Sequence, residues 1–126
     1  MPFNTYLQDC RQLLQAFEDT QAKLILLNIP EATTELQIEF RQLNEYFSAM
    51  HTELNQRFDC ENSLVYLNLR QLDRLQQFLK ELKTQINQLN GMNRPDHSMI
   101  IFFMQRQYKF KQIFRRHLTD YARLTW

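Results

Sequence analysis

Turn-forming residues are scarce in this sequence, which has one glycine and three prolines in 126 residues. A sheet protein needs a turn every few positions, and glycine and proline are the residues best suited to those turns. The chain is instead rich in Leu, Gln, Glu, Arg and Lys, which are good helix formers. We therefore expect an all-α protein, folded as a single domain over residues 1–126 and long enough to build a core without metal or disulfide support.

Apolar residues recur at alternating three- and four-residue steps and predict four amphipathic helices. Their ranges are about 5–27, 31–58, 64–89 and 98–124. Because the helices are similar in length and the connections are short, neighbouring helices should run antiparallel in an up-down-up-down four-helix bundle. The residues expected to point inward are Leu7, Cys10, Leu14, Phe17, Leu24, Leu36, Phe40, Leu43, Phe47, Met50, Leu54, Phe58, Val65, Leu72, Leu75, Leu79, Leu82, Ile86, Leu89, Ile100, Phe103, Phe110, Phe114, His117, Tyr121 and Leu124.

Local signals mark four of the helix ends. Thr5 and Gln8 fit a capping box, in which each side chain accepts a hydrogen bond from a free backbone N–H. Pro30 ends the first helix because the residue before proline is pushed out of the helical region. Gly91 stands where a left-handed residue would end the third helix, and Pro95 precedes the fourth, with Asp96 or Ser98 as its cap.

The boundary between the second and third helices is marked by polarity alone. No glycine or proline lies between residues 55 and 63, although Asn62 or Ser63 would cap a new helix. The alternative is that helices two and three are continuous and that a second chain closes the bundle, giving an extended dimer.

Charge is unevenly distributed along the chain. Residues 1–62 carry ten acidic and four basic side chains, whereas residues 94–126 carry seven basic and two acidic ones. Glu31, Glu35 and Glu39 form an acidic strip at four-residue spacing. The two signs would face each other within the bundle or across a dimer, or one face would meet a charged partner and gain association rate by steering.

Motifs for catalysis, metal or cofactor binding are missing from the sequence. A single glycine cannot build a glycine-rich phosphate loop, and His51, His97 and His117 lack the i, i+3 or i, i+4 spacing of a helical metal site. We expect His117 to be a satisfied core residue and Cys10 to be packing material, whereas the reactivity of Cys60 is left open.

Targeting signals are equally scarce. No secretory signal precedes the first helix, and the apolar runs are far shorter than the roughly 20 residues of a membrane span. The expectation is a soluble, cytoplasmic protein that does not interact with membranes.

The last helix interleaves cations and aromatic residues, as nucleic-acid binders do. Phe103, Phe110 and Phe114 fall at core spacing, so Phe102 and Tyr108 are the better stacking candidates. The residues we single out for binding a partner or nucleic acid are Arg106, Tyr108, Lys109, Lys111, Arg115, Arg116 and Arg123.

Two functions follow from these patterns. The first is a non-enzymatic protein-interaction module, meaning an adaptor, chaperone or regulator that presents a helical face and a basic last helix, with another protein as its partner and a homodimer as a further option. The alternative is a nucleic-acid-binding accessory protein that uses the basic and aromatic last helix.

Overall fold

Four helices form an all-α bundle in the computed structural model, which describes residues 3–25, 29–59, 61–91 and 97–124. They are α1 (Phe3–Ile25), α2 (Ile29–Arg57), α3 (Ser63–Asn90) and α4 (His97–Tyr121). Each helix packs against the helices adjacent to it in sequence, and α1 closes the ring against α4. The predicted four-helix bundle is confirmed. None of the described helices is both long and apolar enough to cross a membrane.

The break between α2 and α3 is real, so the alternative of one continuous helix is wrong. Asn62 provides the N-cap of α3, because its Oδ1 accepts hydrogen bonds from the backbone N–H groups of Leu64 at 3.0 Å and Val65 at 3.3 Å. Just before it, Asp59 Oδ1 accepts from the Glu61 N–H at 3.0 Å and tightens the turn. Two side chains therefore replace the glycine or proline that this connection lacks.

Two predicted helix ends need correction. The first helix begins at Phe3, so Thr5 lies inside it and is not the N-cap. Gly91 follows α3 with φ −81° and ψ −5°, which is right-handed backbone that any residue can adopt, so the predicted left-handed stop is wrong. The predicted end of the first helix at residue 27 and the cap at Asp96 lie outside the described residues, whereas α4 ends at Tyr121, three residues earlier than expected.

The core is the inner face of each helix, as the spacing predicts. Of the inward residues, most are buried, Leu14 and Phe58 are partly buried, and the side chain of Leu24 is outside the described set. Aromatic rings occupy the centre of the bundle. Phe17 of α1 lies with its ring centroid 5.3 Å from that of Phe40 and 5.6 Å from that of Phe110, and Phe47 of α2 contacts Phe114 edge-on at 5.2 Å. These contacts fix which side of α4 faces inward.

Candidate interaction surface

The outward side of α4 exposes three large apolar side chains. Ile101, Phe102 and Tyr108 are each 55% exposed, although aliphatic and aromatic residues are usually buried in a protein of this size. Burial of Ile100, Phe103 and Phe110 against the core turns the intervening positions toward solvent. The expectation that Phe102 and Tyr108 lie off the inner seam, and that Phe103, Phe110 and Phe114 lie on it, is thereby confirmed.

A shallow groove of about 560 Å³ runs along this side of α4. We define the outer face of α4 as the groove lining together with Phe102. Its residues are Ile101, Phe102, Met104, Gln105, Tyr108, Lys109 and Gln112. Neutral amides flank the apolar side chains, so a partner would desolvate little charge on covering them.

Among the described residues of this region, Lys109, Arg116 and Arg123 are the exposed cations that do not pair with another helix. Lys109 is exposed, with no ion pair among the described residues. Arg116 Nε lies 3.4 Å from Asp120 Oδ2, and Arg123 Nη1 lies 3.8 Å from Asp120 Oδ1, with 76% and 69% of the two arginine side chains exposed. Arg123 follows the end of α4, in a turn closed by its own N–H. Asp120 itself is buried, but both guanidinium groups stay largely exposed, so these charges remain accessible to a partner.

The other basic candidates pair with or pack against neighbouring helices, although half of the Arg115 side chain stays exposed. Arg106 pairs with Glu81 of α3, and its guanidinium lies 4.8 Å from the centroid of the Phe78 ring. Arg115 pairs with Glu18 of α1. Lys111 is buried, and burial lowers the pKa of its ammonium group while the nearby Glu18 carboxylate raises it. The basic stretch in the sequence is therefore not one continuous basic face.

The acidic strip on α2 also turns partly inward. Glu31 is exposed and Glu35 is partly exposed, but Glu39 is 8% exposed. The Thr20 hydroxyl of α1 lies 2.8 Å from Glu39 Oε1 and 3.4 Å from Glu35 Oε2. Two of the three carboxylates thus contribute to the packing of α1 on α2.

A buried polar network joins three helices at the end of the bundle opposite the start of α4. It comprises Tyr6 of α1, Gln71 of α3, and His117 and Asp120 of α4. The Gln71 Nε2 donates to Asp120 Oδ2 at 2.7 Å, which leaves its Oε1 to accept from His117 Nδ1 at 3.2 Å. His117 Nε2 is then the acceptor for the Tyr6 hydroxyl at 2.7 Å. This order makes His117 a neutral imidazole protonated on Nδ1.

His117 is unsuited to acid–base catalysis in this arrangement. Its side chain is fully buried, and burial lowers its pKa to about 3, with a smaller opposing effect from Asp120. Both ring nitrogens already have hydrogen-bond partners, so the expectation of a satisfied core histidine is confirmed. Sequence reasoning missed the partners of His117, because no periodic pattern links Tyr6, Gln71 and Asp120 across 114 positions.

A second groove lies between α1 and α2. It measures about 690 Å³, and we call it the α1/α2 groove. Leu13, Ala16 and Ala49 form its apolar part, and the Tyr46 hydroxyl donates to Asp9 Oδ2 at 3.1 Å at its edge. Its remaining lining residues are Gln12, Gln42 and Glu45.

Side chains able to hold a metal do not cluster in the described parts of the chain: no group of three or more His, Cys, Asp or Glu residues was found there. Cys10 is a buried free thiol, and burial raises its pKa to about 12, which keeps it in the unreactive protonated form. Cys60 lies outside the described residues. Comparison with protein-family models, curated proteins and solved structures finds no match to this chain.

Proposed function

We propose that this protein is a non-enzymatic protein-interaction module, an adaptor, chaperone or regulator, that binds a protein partner through the outer face of α4. The observation that carries the proposal is the exposure of Ile101, Phe102 and Tyr108 on one helix. Large side chains grouped on one exposed face mark interaction sites more often than scattered ones do. Tyrosine is also among the residues that dominate interface energetics, because it buries a large area at little entropic cost.

Site chemistry supports a binding role over an enzymatic one. His117 is held neutral by partners on both ring nitrogens, and Cys10 is buried and protonated at neutral pH. The two grooves, in contrast, are open and lined by apolar and amide side chains. Such surfaces suit the docking of an amphipathic helix, whose apolar side chains would enter between the ridges of the bundle.

Site-specific photocrosslinking tests the proposal. A photoreactive amino acid at Gln105, in the middle of the outer face of α4, should capture a defined partner in an extract of the source cells. The same amino acid at Gln77, an exposed position on α3, should not capture it. Mass spectrometry of the crosslinked bands identifies the partner and the site of attachment.

A matched pair of variants gives the control. Ile101→Ser with Tyr108→Ser should abolish capture, whereas Ile38→Ser with Tyr66→Ser should leave it intact. The control positions have the same residue types and similar exposure, 50% and 53%, but lie on α2 and α3. Equal capture by both double variants would exclude the outer face of α4 as the docking site.

Nucleic-acid binding is the second candidate, supported by two exposed aromatic rings, Phe102 and Tyr108, on a helix that also exposes Lys109 and Arg116. It predicts that a labelled oligonucleotide binds with strong salt dependence and that Lys109→Glu, at an exposed cation with no ion pair among the described residues, weakens this binding without lowering the melting temperature. Burial of Lys111 and the pairing of Arg106 and Arg115 with carboxylates of neighbouring helices leave few unpaired cations for phosphates, so we rank this function second.

A further inference from the structure

The groove on the outer face of α4 and the α1/α2 groove match each other in length. The apolar part of the outer face of α4 extends from Ile101 to Tyr108, and the lining of the α1/α2 groove extends from Gln42 to Ala49 on α2 and from Asp9 to Ala16 on α1. Each span is eight residues, or seven steps of 1.5 Å, which is about 10.5 Å of helix. A helix laid along the α1/α2 groove would therefore bring the whole apolar span of α4 into contact with Leu13, Ala16 and Ala49.

The outer face of α4 and the α1/α2 groove also carry opposite charges. Asp9 and Glu45 line the α1/α2 groove, and the groove lining contains no basic residue. On the outer face of α4 the charged residue is Lys109, and the acidic residue within α4, Asp120, is buried. Lys109 and Glu45 are both exposed and have no ion pair among the described residues, so each charge is available to an oppositely charged surface.

We propose that the outer face of α4 of one copy of this protein docks in the α1/α2 groove of a second copy. The inference rests on the proposed function in using the same face of α4, and it identifies the partner as the chain itself. Tyr108 and Ile101 would cover the apolar floor of the groove, and Lys109 would lie near Asp9 and Glu45. Opposite charges at the edge of such a contact set its register and raise its association rate.

Pairing of α4 with α4 is less favourable by the same reasoning. A symmetric contact of that kind would place cations on a face with no exposed acidic side chain in the part of α4 that the structure describes. The contact proposed here joins two different surfaces, so an open assembly of any length keeps one unused surface of each kind, one at each end, until a ring closes.

Single-surface variants, with mass measured over a range of protein concentrations, test this arrangement. The α4 variant carries Tyr108→Ser and Lys109→Glu, and the groove variant carries Glu45→Lys and Ala49→Arg. These are exposed positions, so both variants should fold, which circular dichroism will verify. A control variant with Tyr66→Ser and Lys80→Glu makes the same changes as the α4 variant on exposed positions of α3.

The wild type and the control should self-associate, with a dissociation constant about tenfold larger in 1 M salt than in 0.1 M salt. Each single-surface variant should weaken self-association by about 30-fold or more, because each loses a central contact and gains a like charge. A mixture of the two variants should form a 1:1 dimer, because one intact surface of each kind remains in that pair. Lys109→Glu and Glu45→Lys give the altered surfaces opposite charges again, but Tyr108→Ser removes the apolar contact and Ala49→Arg blocks the groove, so nothing larger should form.

Three results would overturn the inference. They are a wild type that stays monomeric at all concentrations, self-association unaffected by the groove variant, and a mixture that remains monomeric. The first leaves the proposed function standing if photocrosslinking at Gln105 still captures another protein. If the photocrosslinker at Gln105 captures no protein other than this chain while the 1:1 mixed dimer still forms, the outer face of α4 serves self-association alone.

Discussion

His117 and Gln107 are two polar residues on the inner side of α4, and they differ in whether their side chains have hydrogen-bond partners. Both are fully buried. His117 has hydrogen-bond partners on both ring nitrogens, Tyr6 and Gln71. For Gln107, neither side-chain amide atom has a partner among the described residues, although the residue occupies the turn between Phe103 and Phe110.

This difference shows that a buried polar side chain can either stabilise or destabilise the folded protein. A buried polar group that has its hydrogen-bond partners contributes a modest net stabilisation. When it is removed, those partners stay buried without a hydrogen bond, which costs their full desolvation free energy. A buried group without partners costs free energy from the start. We therefore expect substitutions at the two positions to have opposite effects on stability, and a set of measurements can break or sharpen that comparison.

The largest effect is expected for His117→Leu. It removes the acceptor of the buried Tyr6 hydroxyl and the donor to the partly buried Gln71. The free energy of unfolding should fall by about 2–4 kcal/mol, measured by urea denaturation at pH 7. His97→Leu, at an exposed position in the first turn of α4, is the control and should change stability far less. A loss below 0.5 kcal/mol at His117, on the order of a surface substitution, would contradict the assigned network.

The pH dependence of stability should carry a second signature of His117. Its pKa is about 3 in the folded protein and about 6.5 when unfolded, so the unfolded state binds one more proton between these values. Stability is therefore full above pH 6.5 and declines as the pH falls, by about 2 kcal/mol between pH 7 and pH 5. Denaturation curves at half-unit intervals measure this slope. In His117→Gln the histidine contribution should vanish, and an unchanged slope would show that other groups produce it.

Gln107→Met should stabilise the protein. Methionine has a similar length and fills the same space without an amide, so the free energy of unfolding should rise by about 1–2 kcal/mol. Gln105→Met, on the exposed side of the same helix, is the matched control and should stay within about 0.5 kcal/mol of wild type. Destabilisation by Gln107→Met would reveal that the amide has a partner in the folded protein.

The smallest effect is expected for Tyr6→Phe. It removes one hydroxyl donor while keeping the ring, whose centroid lies 4.6 Å from that of Tyr121. The loss should be about 1 kcal/mol. In a double-mutant cycle with His117→Leu, the Tyr6→Phe change should cost less than in the wild-type background, because the acceptor is already absent. Strict additivity would mean that the 2.7 Å contact contributes no coupling energy.

Much of the fold could be read from periodicity. The inward positions on α3 and α4, such as Leu72, Leu79, Phe103 and Phe114, were predicted correctly, because burial of an apolar stripe is a local property of a helix. The backbone at Gly91 could not be predicted, because residue type gives a preference and the surrounding chain selects the conformation. The N-cap at Asn62 was one of two candidates, and only the hydrogen bonds at Leu64 and Val65 distinguish it from Ser63.

For the candidate interaction surface, the sequence supplied the cations but not their roles. Arg106, Lys109 and Arg115 look equivalent in the sequence. In the structure, Arg106 pairs with α3, Arg115 pairs with α1, and Lys109 is exposed without an ion pair among the described residues. Which cation is exposed depends on the rotation of α4 relative to helices more than 20 positions away. Charge pairing between distant segments has no local signature, so an uneven charge distribution in the sequence did not produce a continuous charged face in the structure.

The sequence by itself determined that this chain is helical, where its four apolar stripes lie and that Phe102 and Tyr108 fall outside them. Helix formation and amphipathic spacing depend on neighbours within a few residues, and those neighbours are visible in sequence. Only the tertiary structure decided that His117 is satisfied while Gln107 has no partner among the described residues, and that Lys109 reaches solvent while Lys111 is buried. Those outcomes depend on the relative rotation of packed helices, which brings together residues far apart in the chain.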